Sequence, residues 1–160
     1  KNHENLFLVI TGTGIKKYVD EIKELSKKLK INNVVKFTGF ISEDAKLELF
    51  ESAKLHLVTS HSDVHTTTAI ESLAMGIPVV ITKASDFPEL DEYKAGITVD
   101  SDSNSVCDAV EELLNDEEKL KEYSKNAKKL IDEKFLLKNK IKEYENMFKE
   151  VIKNYRNNKN

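Results

Sequence analysis

The apolar positions of the first hundred residues fall into short unbroken runs, and between the runs they recur at intervals of three and four. The first run, Leu6-Phe7-Leu8-Val9-Ile10, ends at Thr11-Gly12-Thr13-Gly14 and reads as a parallel strand buried on both faces. Val34-Val35-Lys36-Phe37, Leu55 to Thr59, Val79 to Thr82 and Ile97 to Val99 read as further strands. Between them, Tyr18, Ile22, Leu25 and Leu29 give residues 16 to 30 one apolar stripe suited to packing on a sheet. Ser42 reads as the N-cap of a helix with Glu43 and Asp44 in its first turn and Leu47, Leu49 and Phe50 beyond. Thr67 to Met75 is a helix whose Ile70, Leu73 and Ala74 should face the sheet, and Gly76-Ile77-Pro78 is a turn.

From Ser103 the pattern becomes helix after helix. Val106, Val110, Leu113 and Leu114 mark the first, Leu120, Tyr123, Ala127 and Leu130 the second, and Ile141, Tyr144, Phe148 and Ile152 the last. The alternation of strand and helix predicts an α/β fold: a Rossmann-like parallel sheet with helices on both faces, followed by C-terminal helices. Residues 1–153 are expected to form one domain, and residues 154–160 a polar, disordered tail.

Composition narrows the partners. A length of 160 residues suits one domain, and a formal charge of -3 with dispersed charges argues against nucleic acid. The lysines from Lys138 to Lys159 alternate with Glu143, Glu145 and Glu150, as on a solvated helix face rather than a membrane patch. No apolar run approaches the roughly 18 residues of a membrane span, and the single Cys107 has no internal disulfide partner. A cytoplasmic location is expected, with peripheral membrane association of a longer protein left open. Because the chain opens on Lys1 a few residues before a strand, it reads as part of something longer.

The candidate chemistry lies in residues 55 to 82, a strand, a polar loop, a helix opening on Thr66-Thr67-Thr68, and a second strand. In a doubly wound sheet such a loop and helix start lie at the carboxyl edge, where nucleotides and sugars bind. Free N–H groups and the helix dipole there suit a phosphate. Thr67 and Glu71, four apart, can both face the crevice, with Glu71 placed to accept bonds from ribose hydroxyls. The other reading is that the threonines cap a helix and Glu71 is solvated. His61, Asp63 and His65 are too close in sequence to supply a closed coordination shell, so no metal is expected. His65 is either a donor to a sugar hydroxyl or a solvated histidine. Gly12 and Gly14 fit a phosphate loop or a plain turn, and Glu89 a donor contact or a helix-start charge.

Taken together, these stretches resemble glycosyltransferase family 4, the C-terminal, donor-binding half of a GT-B enzyme. The similarity rests on Thr59-Ser60, Asp63 and Glu71 eight apart, and Ala74-Met75-Gly76-Ile77-Pro78-Val79-Val80, with Gly12-Thr13-Gly14, Val35-Lys36-Phe37-Thr38-Gly39-Phe40, Pro88-Glu89-Leu90 and Ala95-Gly96-Ile97 in order around them. It covers roughly residues 6 to 150. The resemblance implies transfer of a sugar, with retention, from a UDP- or GDP-linked donor acting as co-substrate, to a glycan or lipid-linked acceptor in polysaccharide or glycolipid assembly, with no further cofactor. Asp63 and Glu71 are then the catalytic carboxylates. The backbone around Gly39, Phe40 and Ile41 would meet the base, and Gly12, Gly14, His65, Thr66, Thr67, Thr68, Glu71 and Glu89 would line the donor site. The family's Arg and Lys cations and its acceptor-binding N-terminal domain would precede Lys1, so this chain alone should transfer no sugar.

One stretch departs from the pattern. Where the family has Glu-Gly-Phe-Gly, this chain has Asp63-Val64-His65-Thr66, a shorter acid and no glycine. Two alternatives follow: a non-catalytic nucleotide- or carbohydrate-binding module, and a GT-B-like epimerase acting on nucleotide sugars.

Overall fold

The computed structural model describes residues 6–63 and 66–157. The chain forms two compact units, Lys1–Leu49 and Phe50–Asn160.

In the first unit, β1 (Leu8–Thr11) pairs in parallel with β2 (Val35–Gly39), from Leu8 opposite Val35 to Ile10 opposite Phe37. The register slips after Ile10, so that Thr11 faces Gly39. The expected burial of β1 is not found: Phe7 is 55% and Leu8 44% exposed. An apolar run suffices to extend the backbone, whereas burial requires a layer on each face. In this unit only Ser26 and Val35 are buried among the described residues. Helix α1 (Lys16–Lys28) corrects a second expectation. Tyr18, Leu25 and Leu29 are exposed, and the inward stripe is Val19, Ile22 and Ser26, the last donating from Oγ to the Lys23 carbonyl at 2.7 Å. Helix α2 (Glu43–Ser52), which belongs to the second unit from Phe50 on, opens as expected, with Ser42 Oγ accepting from the Ala45 N–H at 3.3 Å.

The second unit holds a parallel sheet of order β3-β4-β5, made of His56–Val58, Val79–Thr82 and Gly96–Val99. His56 pairs with Val79, and Val79 in turn with Gly96. The crossovers carry α3 (Thr67–Ala74) and the one-turn α4 (Pro88–Glu92). Central β4 is closed on both faces. Val79 and Ile81 join Ala69 and Leu73 of α3, Leu90 of α4, and Ala127 and Leu130 of α6 (Glu117–Leu130). Val80 turns the other way, toward Val99 and the Ala109 and Leu113 of α5 (Ser103–Leu114). This is the Rossmann-like arrangement, parallel strands between helical layers, with the hydrogen-bonded ladders divided into a two-stranded and a three-stranded sheet.

Gly96 is fixed by proximity: a Cβ there would lie 2.1 Å from the Val79 carbonyl oxygen and within 2.9 Å of the Leu90 methyls. Asp102 and Asp116 cap α5 and α6 through their carboxylates, which accept from main-chain N–H groups. The chain then passes through a wide turn at Ile131–Phe135 into α7 (Leu137–Asn157). Helix α7 runs past Asn154, where the polar tail was expected to begin, and residues 158–160 of that tail lie outside the described residues. Its apolar stripe of Ile141, Tyr144, Phe148 and Ile152 is exposed. Among the described residues no helix is long and apolar enough to cross a membrane.

Candidate ligand-binding site

At the carboxyl edge of the three-stranded sheet, the loops that follow the strands are tied to one another. Thr82 Oγ1, at the end of β4, donates to the Ser60 carbonyl beyond β3 at 2.5 Å. The Asp63 N–H donates to the Ala84 carbonyl at 3.1 Å. Lys83 Nζ meets the Asp100 carboxylate beyond β5 at 2.8 Å. The loop carrying Asp63 is therefore held at its own main-chain atoms, by the Thr82 hydroxyl and the Ala84 carbonyl, and the Asp63 side chain stands exposed.

Helix α3 starts where the loop after β3 ends. Thr66 takes the N-cap position with an extended backbone, and its carbonyl accepts from the Ala69 and Ile70 N–H groups at 3.0 and 3.2 Å. The N–H groups of Thr67 and Thr68 precede those bonds, as the first donors of any helix must. No side chain caps this terminus among the described residues, so the threonines do not act as caps here. Thr66 Oγ1 is buried without a hydrogen-bond partner among those residues, while Thr67 and Thr68 are exposed.

The inward face of α3 is Ala69, Ser72 and Leu73, with Ile70 packed beside it. Ala74, expected to pack on the sheet, is exposed, because the buried arc is centred one residue earlier than the Ile70-Leu73-Ala74 spacing suggests. Glu71 is half-buried and its Oε2 is shielded from solvent, which sets it apart from a solvated surface carboxylate.

Beside it stands a residue that sequence reasoning missed. His56 opens β3, with Nδ1 2.9 Å from Ser72 Oγ and its ring edge-on to Phe50 at 5.3 Å between centroids. Burial pushes the imidazole down to about 4, against the pull of the Glu71 carboxylate, which favours the charged ring. The available signal was a histidine inside an apolar strand, LHLV, followed sixteen residues later by a serine on the sheet-facing side of a helix.

The other candidates divide between the units. Glu89 lies half-buried in the first turn of α4. In the first unit, the Gly12 N–H donates to the Gly39 carbonyl at 2.8 Å, and both glycines have left-handed φ values, 101° and 68°. A side chain at either would be strained, so the turn after β1 and the end of β2 require glycine. Gly14 has no such φ, Ile41 is half-buried, and Phe40 is 82% exposed. His65 lies outside the described residues.

Residues 1–130 match the family described as glycosyl transferases group 1. An uncharacterised glycosyltransferase of Methanocaldococcus jannaschii is 30% identical over 147 residues, covering 91% of this chain and 37% of that protein. The N-acetyl-alpha-D-glucosaminyl L-malate synthase of Bacillus anthracis is 27% identical over 140 residues, covering 86% and 36%. Among solved structures, the C-terminal domain of a group 1 family glycosyl transferase from Francisella tularensis superposes with a TM-score of 0.71 at 23% identity, covering 82% of this chain and 70% of that one. Anabaena HepE in complex with UDP-glucose gives 0.73 at 24% identity, covering 81% and 36%. The chain thus spans little more than a third of the curated relatives' length.

Proposed function

The chain belongs to the group 1 glycosyl transferases, and from that membership we propose that it is the donor-binding part of a retaining GT-B enzyme that takes a UDP- or GDP-linked sugar as co-substrate. The observation that carries this reading is the start of α3: a helix N-terminus uncapped by any described side chain, at the carboxyl edge of a parallel sheet, with the shielded Glu71 carboxylate one turn inside. The N–H groups of Thr67 and Thr68 would hold the diphosphate, and Glu71 would accept from the ribose hydroxyls. As the bond between the sugar and the phosphate oxygen breaks, negative charge grows on the terminal phosphate. Donors already oriented toward it stabilise that charge without reorganising. The sugar would then pass to a glycan or lipid-linked acceptor held by another part of a longer protein, which would also supply the cations facing the diphosphate. That HepE was solved with UDP-glucose supports a nucleotide sugar as the ligand.

Calorimetry with UDP and GDP tests the nucleotide half of this assignment. Glu71→Ala is expected to weaken binding by roughly 1.5–3 kcal/mol through loss of a charge-assisted pair of hydrogen bonds. Unchanged affinity would remove Glu71 from the site. Asp63 is assigned to the sugar, since its exposed side chain lies on the loop ahead of the helix. Asp63→Ala should therefore reduce affinity for the nucleotide sugar and spare the free nucleotide, and equal losses would refute the assignment.

A specific observation favours a second reading, a module that binds without transferring. Thr66 brings a side chain with a buried hydroxyl to a position where the resemblance calls for glycine. Acceptor glycosylation assays with the longer protein separate the two, because inertness toward every UDP- and GDP-sugar would select the module.

A further inference from the structure

A hydrogen bond joins β3 to α3: Ser72 Oγ lies 2.9 Å from the Ala69 carbonyl of its own helix and 2.9 Å from His56 Nδ1. The serine hydroxyl can donate to the carbonyl and accept from a protonated Nδ1, or donate to an unprotonated Nδ1, and in either tautomer the strand is bonded to the helix at this point. Burial favours the neutral ring, and the edge-on contact with Phe50 of α2 restricts its rotation.

Ser72 is the immediate neighbour of Glu71 on a helix only eight residues long. Apolar contacts such as those of Ala69 and Leu73 hold a helix against a sheet but leave it able to rotate by small angles, since dispersion is not directional. A hydrogen bond from the strand to one side of the helix removes that freedom. A carboxylate about 5–6 Å from the axis of a helix moves about 1 Å for each 10° of rotation. Such a displacement is enough to break a bidentate contact to ribose hydroxyls.

We infer that His56 is a positioning residue for the nucleotide site: through the hydrogen bond between its Nδ1 and Ser72 Oγ it sets the rotation of α3 and thereby the place of the Glu71 carboxylate. The inference rests on the assignment of Glu71 to the ribose. It concerns a histidine and a serine that touch no ligand in that assignment and act through their neighbour.

Isothermal titration of UDP and GDP into five variants tests it. His56→Phe keeps an aromatic ring against Phe50 and deletes the hydrogen bond from the strand side, and Ser72→Ala deletes it from the helix side. Each should weaken binding about fivefold, the effect of one lost hydrogen bond. His56→Asn, whose side-chain amide takes the place of Nδ1 and can either donate or accept, should restore affinity to within about twofold. In a Glu71→Ala background, adding His56→Phe should change affinity by less than about twofold, because no carboxylate remains to be misplaced. A fivefold loss that persists in that background would show a general packing role and overturn the inference. So would a folded His56→Phe or Ser72→Ala protein with wild-type affinity. If His56→Phe fails to fold, Ser72→Ala and the rescue by His56→Asn decide the matter. Wild-type protein that binds neither nucleotide would overturn the donor-site assignment itself, an outcome distinct from any loss confined to the variants.

Discussion

Strands β1 and β4 are four residues long and almost the same word, LVIT and VVIT. In β4 no residue is more than 2% exposed, whereas in β1 Leu8 and Val9 are 44% and 38% exposed. The difference lies in what surrounds them. β4 has a hydrogen-bonded strand on each side and a helical layer on each face, and β1 has one neighbouring strand, β2, in its own unit. Local sequence decides that a segment is extended, and the number of layers assembled around it decides how much its apolar side chains contribute.

The contrast can be broken most directly by truncating one apolar side chain in each strand. Ile81→Ala, at 1% exposure, should cost about 3–5 kcal/mol in urea unfolding, and Val9→Ala in β1 less than about 1 kcal/mol. Equal costs would mean that the exposed face of β1 is covered in solution. Next in size is Gly96→Ala, expected to lose about 3 kcal/mol, because the new methyl meets the main-chain oxygen of Val79, which cannot retreat without breaking the β4-β5 ladder. A neutral Gly96→Ala would show that the ladder is looser than its central position implies.

The smallest effect, and the one that sharpens the comparison by pH, belongs to His56. No histidine occurs among the described residues of the first unit, so this contribution is local to the second. The half-buried ring is pushed down to about 4 from its ordinary value of 6.5. As the pH falls the unfolded chain takes up the proton first, so stability is complete above about 6.5 and is lost between about 6.5 and 4. The loss should approach about 3 kcal/mol well below pH 4. Unfolding of wild type and His56→Asn across this range measures it, and a wild-type profile parallel to that of His56→Asn would exclude the buried neutral imidazole.

The strands, the helix order and the parallel class were readable because runs of branched residues and three-and-four spacing are local signals. Ser42 as an N-cap was readable for the same reason. What failed depended on partners distant in the chain. Tyr18, Leu25 and Leu29 form a regular stripe, yet the helix turns Val19, Ile22 and Ser26 inward, because a wheel drawn on one helix does not say which arc its neighbours cover. Ala74 was misplaced on α3 by the same reasoning. In the candidate site, Glu71 and the helix start could be found from position along the chain. His56 could not, since its meaning comes from Ser72 sixteen residues away and from Phe50 on the preceding helix.

The tie between the loops after β3 and β4 runs from the Asp63 N–H to the Ala84 carbonyl, main chain to main chain. A bond of that kind is indifferent to the side chain carried at either end. A change of side chain at Asp63 therefore leaves that one attachment in place.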